Sequence, residues 1–149
     1  MALRIVHKQK IVKVDTRAVR GLVGAVLDEY GRADSDVTVL FADDSFLHKL
    51  NLEYRGIDGT TDVLSFAMME GDESTISPDV ESVLGDVMIS VERAAVQARR
   101  YRKPVGHEIL KLVAHGVLHL IGFDHASTSE RNRMRRIENR HLKAVLDQA

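Results

Sequence analysis

GHEILKLVAHGVLHLIGFDH, residues 106–125, is the stretch from which the rest of the chain can be placed. Ile109, Leu110, Leu112, Val113, Val117, Leu118, Leu120 and Ile121 cover nearly every side of a helix over 106–121, as expected for one buried on all sides. Two histidines, His115 and His119, stand four positions apart within this apolar run. On a helix such a pair differs by about 40° in direction and about 6 Å in height, so both imidazoles can reach one point. A third ligand on the same helix would fall near 122 or 123, on the following turn, and would not close a tetrahedral site. Gly122 offers another route: glycine tolerates the left-handed conformation that ends a helix, so the chain can turn and bring His125 back toward the pair. Three neutral imidazoles with one open position is the arrangement of a catalytic zinc rather than a structural one. Three separately hydrogen-bonded core histidines within eleven mostly apolar residues would need three sets of buried partners. One cation satisfies them together. A single Zn2+ on His115, His119 and His125 is the expected cofactor, and a small metal-dependent hydrolase the expected class.

Working outward, Pro104 stops a helix over 91–101 whose Ala94, Ala95 and Ala98 form a close-packing side. Downstream, Ser127 or Thr128 caps a last, basic helix to about 146, with Met134, Ile137, Leu142, Val145 and Leu146 available for burial. Upstream, residues 3–6, 36–41, 63–66 and 86–90 read as strands. Asp15 and Thr16 open a helix carrying Val19, Leu22, Val23, Val26, Leu27 and Tyr30, which Gly31 ends. Asp43 or Asp44 caps another, with Phe46, Leu47, Leu50 and Tyr54 as its apolar stripe. RGIDGTTD, residues 55–62, is turn chemistry, and the acidic stretch 70–83 with Pro78 is expected to be a surface loop. Strands alternating with about five helices give an α/β or α+β domain with a small mixed sheet around a central buried helix.

A length of 149 residues with 44% hydrophobic content suits one domain spanning 1–149. The absence of cysteine excludes disulfides and thiolate metal sites. The N-terminal MALRIVHKQKIVKVD lacks the uninterrupted apolar core of a signal peptide, and no segment reaches transmembrane length, so a cytoplasmic protein without membrane association is expected. The net charge of -1 hides an uneven distribution. Residues 56–91 carry eight acids and no Lys or Arg, leaving 21 basic against 14 acidic residues elsewhere. Arg99, Arg100, Arg102 and Lys103 surround Tyr101, and Arg131, Arg133, Arg135, Arg136 and Arg140 lie near the C-terminus. Such clusters can track a phosphate backbone or simply form solvated helix faces.

The histidine segment matches the metzincin pattern HExxHxxGxxH at each ligand and at the glycine, but Gly116 stands where that pattern has its glutamate. That glutamate is the general base of the proteases, so peptide hydrolysis by their route is not available. The string HGxLHLxGxDH, together with LNLEYRGIDGTTDVLSF at 50–66 and LGDVMIS at 84–90, resembles the YbeY family of endoribonucleases over nearly the whole chain. The resemblance implies a central helix with a four-stranded sheet and other helices. It also implies a zinc-bound, single-strand-specific endoribonuclease acting in ribosomal RNA maturation and ribosome quality control, with ribosomal proteins or a ribosome-associated GTPase as partners. It places the family's functional arginine on Arg55. Thr60 and Ala67 stand where the family often has proline, and Phe123 replaces a common tyrosine; these bear on loop rigidity and leave the ligands intact.

Catalysis is expected to rest on the ligand His115 and on Arg55, whose guanidinium matches two phosphate oxygens. Asp124 either orients a ligand imidazole or stabilises its turn. Glu108, seven residues before His115, reads as favourable charge at a helix start, with support of the ligands as the other option. The attacking nucleophile is either water or the neighbouring ribose 2′-hydroxyl. The rival functions are a metallohydrolase of another substrate class, including a protease with a base such as Glu108 or Asp124, and a non-enzymatic, zinc-stabilised ribosome assembly factor.

Overall fold

A computed structural model describes residues 2–68 and 83–148. In chain order the elements are β1 (Leu3–His7), α1 (Thr16–Glu29), β2 (Asp36–Ala42), α2 (Asp44–Arg55), β3 (Val63–Ala67), β4 (Val83–Ser90), α3 (Val91–Arg100), α4 (Val105–Ile121) and α5 (Thr128–Asp147). The strands form one sheet in the order β1-β2-β4-β3, with β1, β2 and β4 parallel and the edge strand β3 antiparallel to β4. Among the described residues the chain adopts the expected α/β architecture, five helices with a small mixed sheet.

Strand alternation divides the apolar residues between the two sheet faces. Val37, Val39 and Phe41 of β2 and Val87 and Ile89 of β4 face the main core, which α1, α4 and α5 complete. Leu40, Ala42 and Leu64 face the other way, onto Leu47 of α2. Helix α4 touches α1, α3, α5, β3 and β4, which is why its sequence is apolar on nearly every side. Its half-buried stripe Lys111, His115 and His119, at spacing four, is the part turned toward a cleft.

Local chemistry sets the element ends. Asp15, Asp43, Ser90 and Ser127 each accept a hydrogen bond from a backbone N–H in the first turn of the helix that follows. α4 ends at Gly122, whose φ of 115° is the left-handed stop read from the sequence. Two expectations change. Tyr54 does not join the buried part of the α2 stripe: it is 66% exposed and lies edge-on to Phe66, ring centres 5.7 Å apart. Strand β4 begins at Val83, so the end of the stretch read as a loop pairs in the sheet, and the rest of that stretch lies outside the described residues.

Candidate metal centre

The last two turns of α4 present His115 and His119 side by side, and the chain reversal at Gly122 returns His125 to them. One nitrogen from each ring lies within 4.8 Å of the others, and the ring centres are 4.7, 4.7 and 5.4 Å apart. The Nε2 atoms of His115 and His119 are separated by 3.2 Å. Two nitrogens bound at about 2.0–2.1 Å to a tetrahedral zinc would be about 3.3–3.4 Å apart, so the donor set has the spacing and the chemistry to hold a divalent ion. Burial, reinforced by the neighbouring His115 and His125, pushes the His119 pKa below the usual histidine value and favours the neutral form that binds metals.

Glu138, on α5, supports the triad from behind. It is 5% exposed, and its Oε2 lies 3.3 Å from His115 Nδ1. A carboxylate there accepts a hydrogen bond from Nδ1–H and leaves Nε2 free to face the ion. Sequence reasoning missed this residue, although a signal existed. Glu138 falls on the buried face of α5 with Met134, Ile137 and His141, and a carboxylate in such a stripe needs a polar partner. Asp124 accepts the backbone N–H of His125 at 2.7 Å, the turn-stabilising option of the two considered. Glu108 lies in the first turn of α4, the helix start read from the sequence, and is 7% exposed there; burial raises its pKa.

The triad opens into a cleft of about 310 Å³ lined also by Arg55, Asp62 and Ser65. Arg55 is the last residue of α2, where the left-handed Gly56 turns the chain into the loop that follows. That loop is fastened at two points. Asn51 Nδ2 donates to the Gly59 carbonyl at 2.9 Å, and the Thr60 hydroxyl donates to the Asp44 carbonyl at 3.0 Å. Asp44 is in turn bound by Ser90 Oγ at 2.7 Å and Arg93 Nη2 at 2.8 Å. All four residues expected at the site thus line one cleft.

Gly116, beside the first ligand, faces the sheet. A Cβ there would sit 2.4 Å from Val87 Cγ1 and 3.2 Å from Ser65 Oγ, and Ser65 Oγ donates to the Gly116 carbonyl at 3.0 Å. The position that carries a general base in the protease pattern is therefore packed against β3 and β4, with no room for a side chain.

A sequence profile described as Endoribonuclease YbeY matches residues 4–146. The chain belongs to the YbeY family. Relatives named Endoribonuclease YbeY include one from Desulforamulus reducens, 39% identical with 97% of each chain covered, and one from Pelotomaculum thermopropionicum, 42% identical with 95% of each covered. The fold of this YbeY family member also matches the solution structure of TM1509 from Thermotoga maritima, with a TM-score of 0.69, 24% identity, and coverage of 98% of this chain and 90% of that one.

Proposed function

We propose that this chain is a zinc-dependent endoribonuclease that cuts single-stranded RNA in ribosomal RNA maturation and ribosome quality control. The observation that carries this reading is the convergence of three imidazoles in the same cleft as Arg55, in a chain of the YbeY family. Zinc suits the donor set: three nitrogen ligands, no thiolate, and an open side toward the cleft. An ion held there supplies Lewis acidity toward a phosphate oxygen and toward water. The protein's own residues do the rest. Arg55 offers a planar, permanently charged fork to the phosphodiester, Glu138 fixes the ring of His115, and the fastened 56–62 loop holds its wall of the cleft in place. Ribosomal proteins or a ribosome-associated GTPase are the proposed partners, and the cytoplasm the proposed compartment.

Proteolysis by the metzincin route is set aside because Gly116 has no room for the base that pattern requires, and a protease with its base at Glu108 or Asp124 is left to experiment. Purified protein with its metal content measured is incubated with single-stranded RNA and with casein, with and without chelator. Chelator-sensitive RNA cleavage with casein intact is the expected result. Chelator-sensitive proteolysis with RNA intact overturns it, and a stably folded protein with full metal that cuts neither supports the assembly factor. Arg55→Ala is expected to lower kcat about 100-fold or more, the usual cost of losing one transition-state donor, with metal content unchanged. Product ends identify the nucleophile: a 2′,3′-cyclic phosphate marks the 2′-hydroxyl, and a 5′-phosphate with a free 3′-hydroxyl marks water.

A further inference from the structure

The cleft holding Arg55 is only one side of the triad. On the other side a second cleft of about 300 Å³ shares Asp62, Val63, His115 and His125 with the first. It continues, through Tyr101, Glu108, Lys111 and Arg135, into a third of about 540 Å³ that also reaches Lys103 and His107. The three form one trough along α4, running from Arg55 past the ligands toward Tyr101. Its far end is basic. Lys111 lies one helical turn, about 6 Å, before His115 on the same stripe, with Lys103 and Arg135 flanking it. None of these three cations makes an ion pair with any described residue. Glu108 is the one carboxyl lining that far section, and Asp62 and Glu138 line the section nearer the ligands. Tyr101 is 60% exposed at the end of this section, and Arg100 lies over its ring at 5.9 Å.

We propose that this trough is an extended RNA subsite, in which Tyr101 stacks a base remote from the cut while Lys103, Lys111 and Arg135 hold the intervening phosphates. The inference rests on the endoribonuclease reading and adds to it where the strand lies. A concave basic channel ending on an exposed aromatic ring is how proteins hold single strands without reading sequence. Duplex is not expected there, because its paired bases have no free face for Tyr101. Lys103, from the basic cluster around Tyr101, and Arg135, from the basic helix α5, thereby meet across one channel.

Binding is measured by fluorescence anisotropy with the metal-loaded protein and a labelled, single-stranded 2′-O-methyl phosphorothioate oligonucleotide, and cleavage is measured in parallel on the matching RNA. Tyr101→Ala is expected to weaken binding five-fold or more without changing its salt dependence, and Tyr101→Phe to bind as the parent does. The double variant Lys111→Gln/Arg135→Gln is expected to reduce the slope of log Kd against log salt by about 1.4, or about 0.7 for each lost phosphate contact. Lys143→Gln, exposed on α5 and not lining the trough, serves as the charge control. All substituted positions except half-buried Lys111 are exposed, and matching melting temperatures verify folding. If the parent cuts RNA while the trough variants bind and cut like it, the subsite is overturned and the endoribonuclease reading stands. If the parent cuts no RNA but the variants lose binding as described, the subsite stands and that reading falls. Unchanged affinity in every variant overturns the proposal and leaves the trough to a polypeptide partner.

Discussion

Glu138 shows how much a single side chain can govern at this site. Its carboxylate is nearly sealed from solvent, and its one partner among the described residues is His115 Nδ1. Replacing it with glutamine preserves size but removes the charge that steadies the ligand ring. Glu138→Gln is predicted to lower metal affinity about 10- to 100-fold, read by competition with a calibrated chelator, while the unloaded protein melts near the parent temperature. The ligands themselves were legible in the sequence because the constraint is local: four residues make a helical turn, and a glycine three residues after the second ligand permits the return. Glu138 was not, because its partner lies 23 positions away and only packing of α5 on α4 brings the two together. Arg55 lies between these cases. Nothing in its own neighbours marks it, and only a match to a family pattern singles it out before the cleft is seen.

Between elements, α4 approaches the sheet closely at Gly116. Gly116→Ala is predicted to destabilise the fold by about 1–3 kcal/mol in urea unfolding, because the added methyl lands on Val87. Combining it with Val87→Ala should cost less than the two losses added together, since the second change makes room for the first. A different clamp joins α1 to α5. Glu29 accepts two hydrogen bonds from Arg140, both 2.8 Å, and lies 2.6 Å from His141 Nε2. The Arg140 hydrogen bonds, followed by the His141 contact and the charge of both partners, outweigh desolvation and bring the Glu29 pKa from 4.5 down to about 2. Because the folded value lies below the unfolded one, this clamp stabilises above about pH 4.5 and is lost as pH falls toward 2. Glu29→Gln should therefore flatten the dependence of stability on pH across that interval, as followed by urea melts at stepped pH. Helix limits and caps were largely visible in the sequence, since Asp15, Asp43 and Ser127 announce them. The α2 stripe was misjudged at Tyr54 because periodicity reports a direction around the helix and not how far the neighbouring sheet extends.

For the molecule as a whole, the centre draws on α4, the turn after it and, through Glu138, α5, so an ion held there fastens the C-terminal third to the core. Metal present at a hundredfold excess over its Kd would stabilise the folded state by about 2.7 kcal/mol. For a chain of this length that corresponds to a fall in Tm of about 5–10 °C on chelation, measurable by calorimetry. The inventory of strands and helices could be read from the sequence, but the order β1-β2-β4-β3 could not. Alternation tells which face a residue serves and is silent about which strand lies beside it. The glycine pressed onto β4 also bears on ancestry. For a lineage to turn this centre into a peptidase, one substitution would have to install a carboxylate after the first histidine and another would have to hollow the strand beneath it, with a poorly folded intermediate in between. Drift seldom crosses such a valley, so descendants that keep the close fit are confined to chemistry that proceeds without that base.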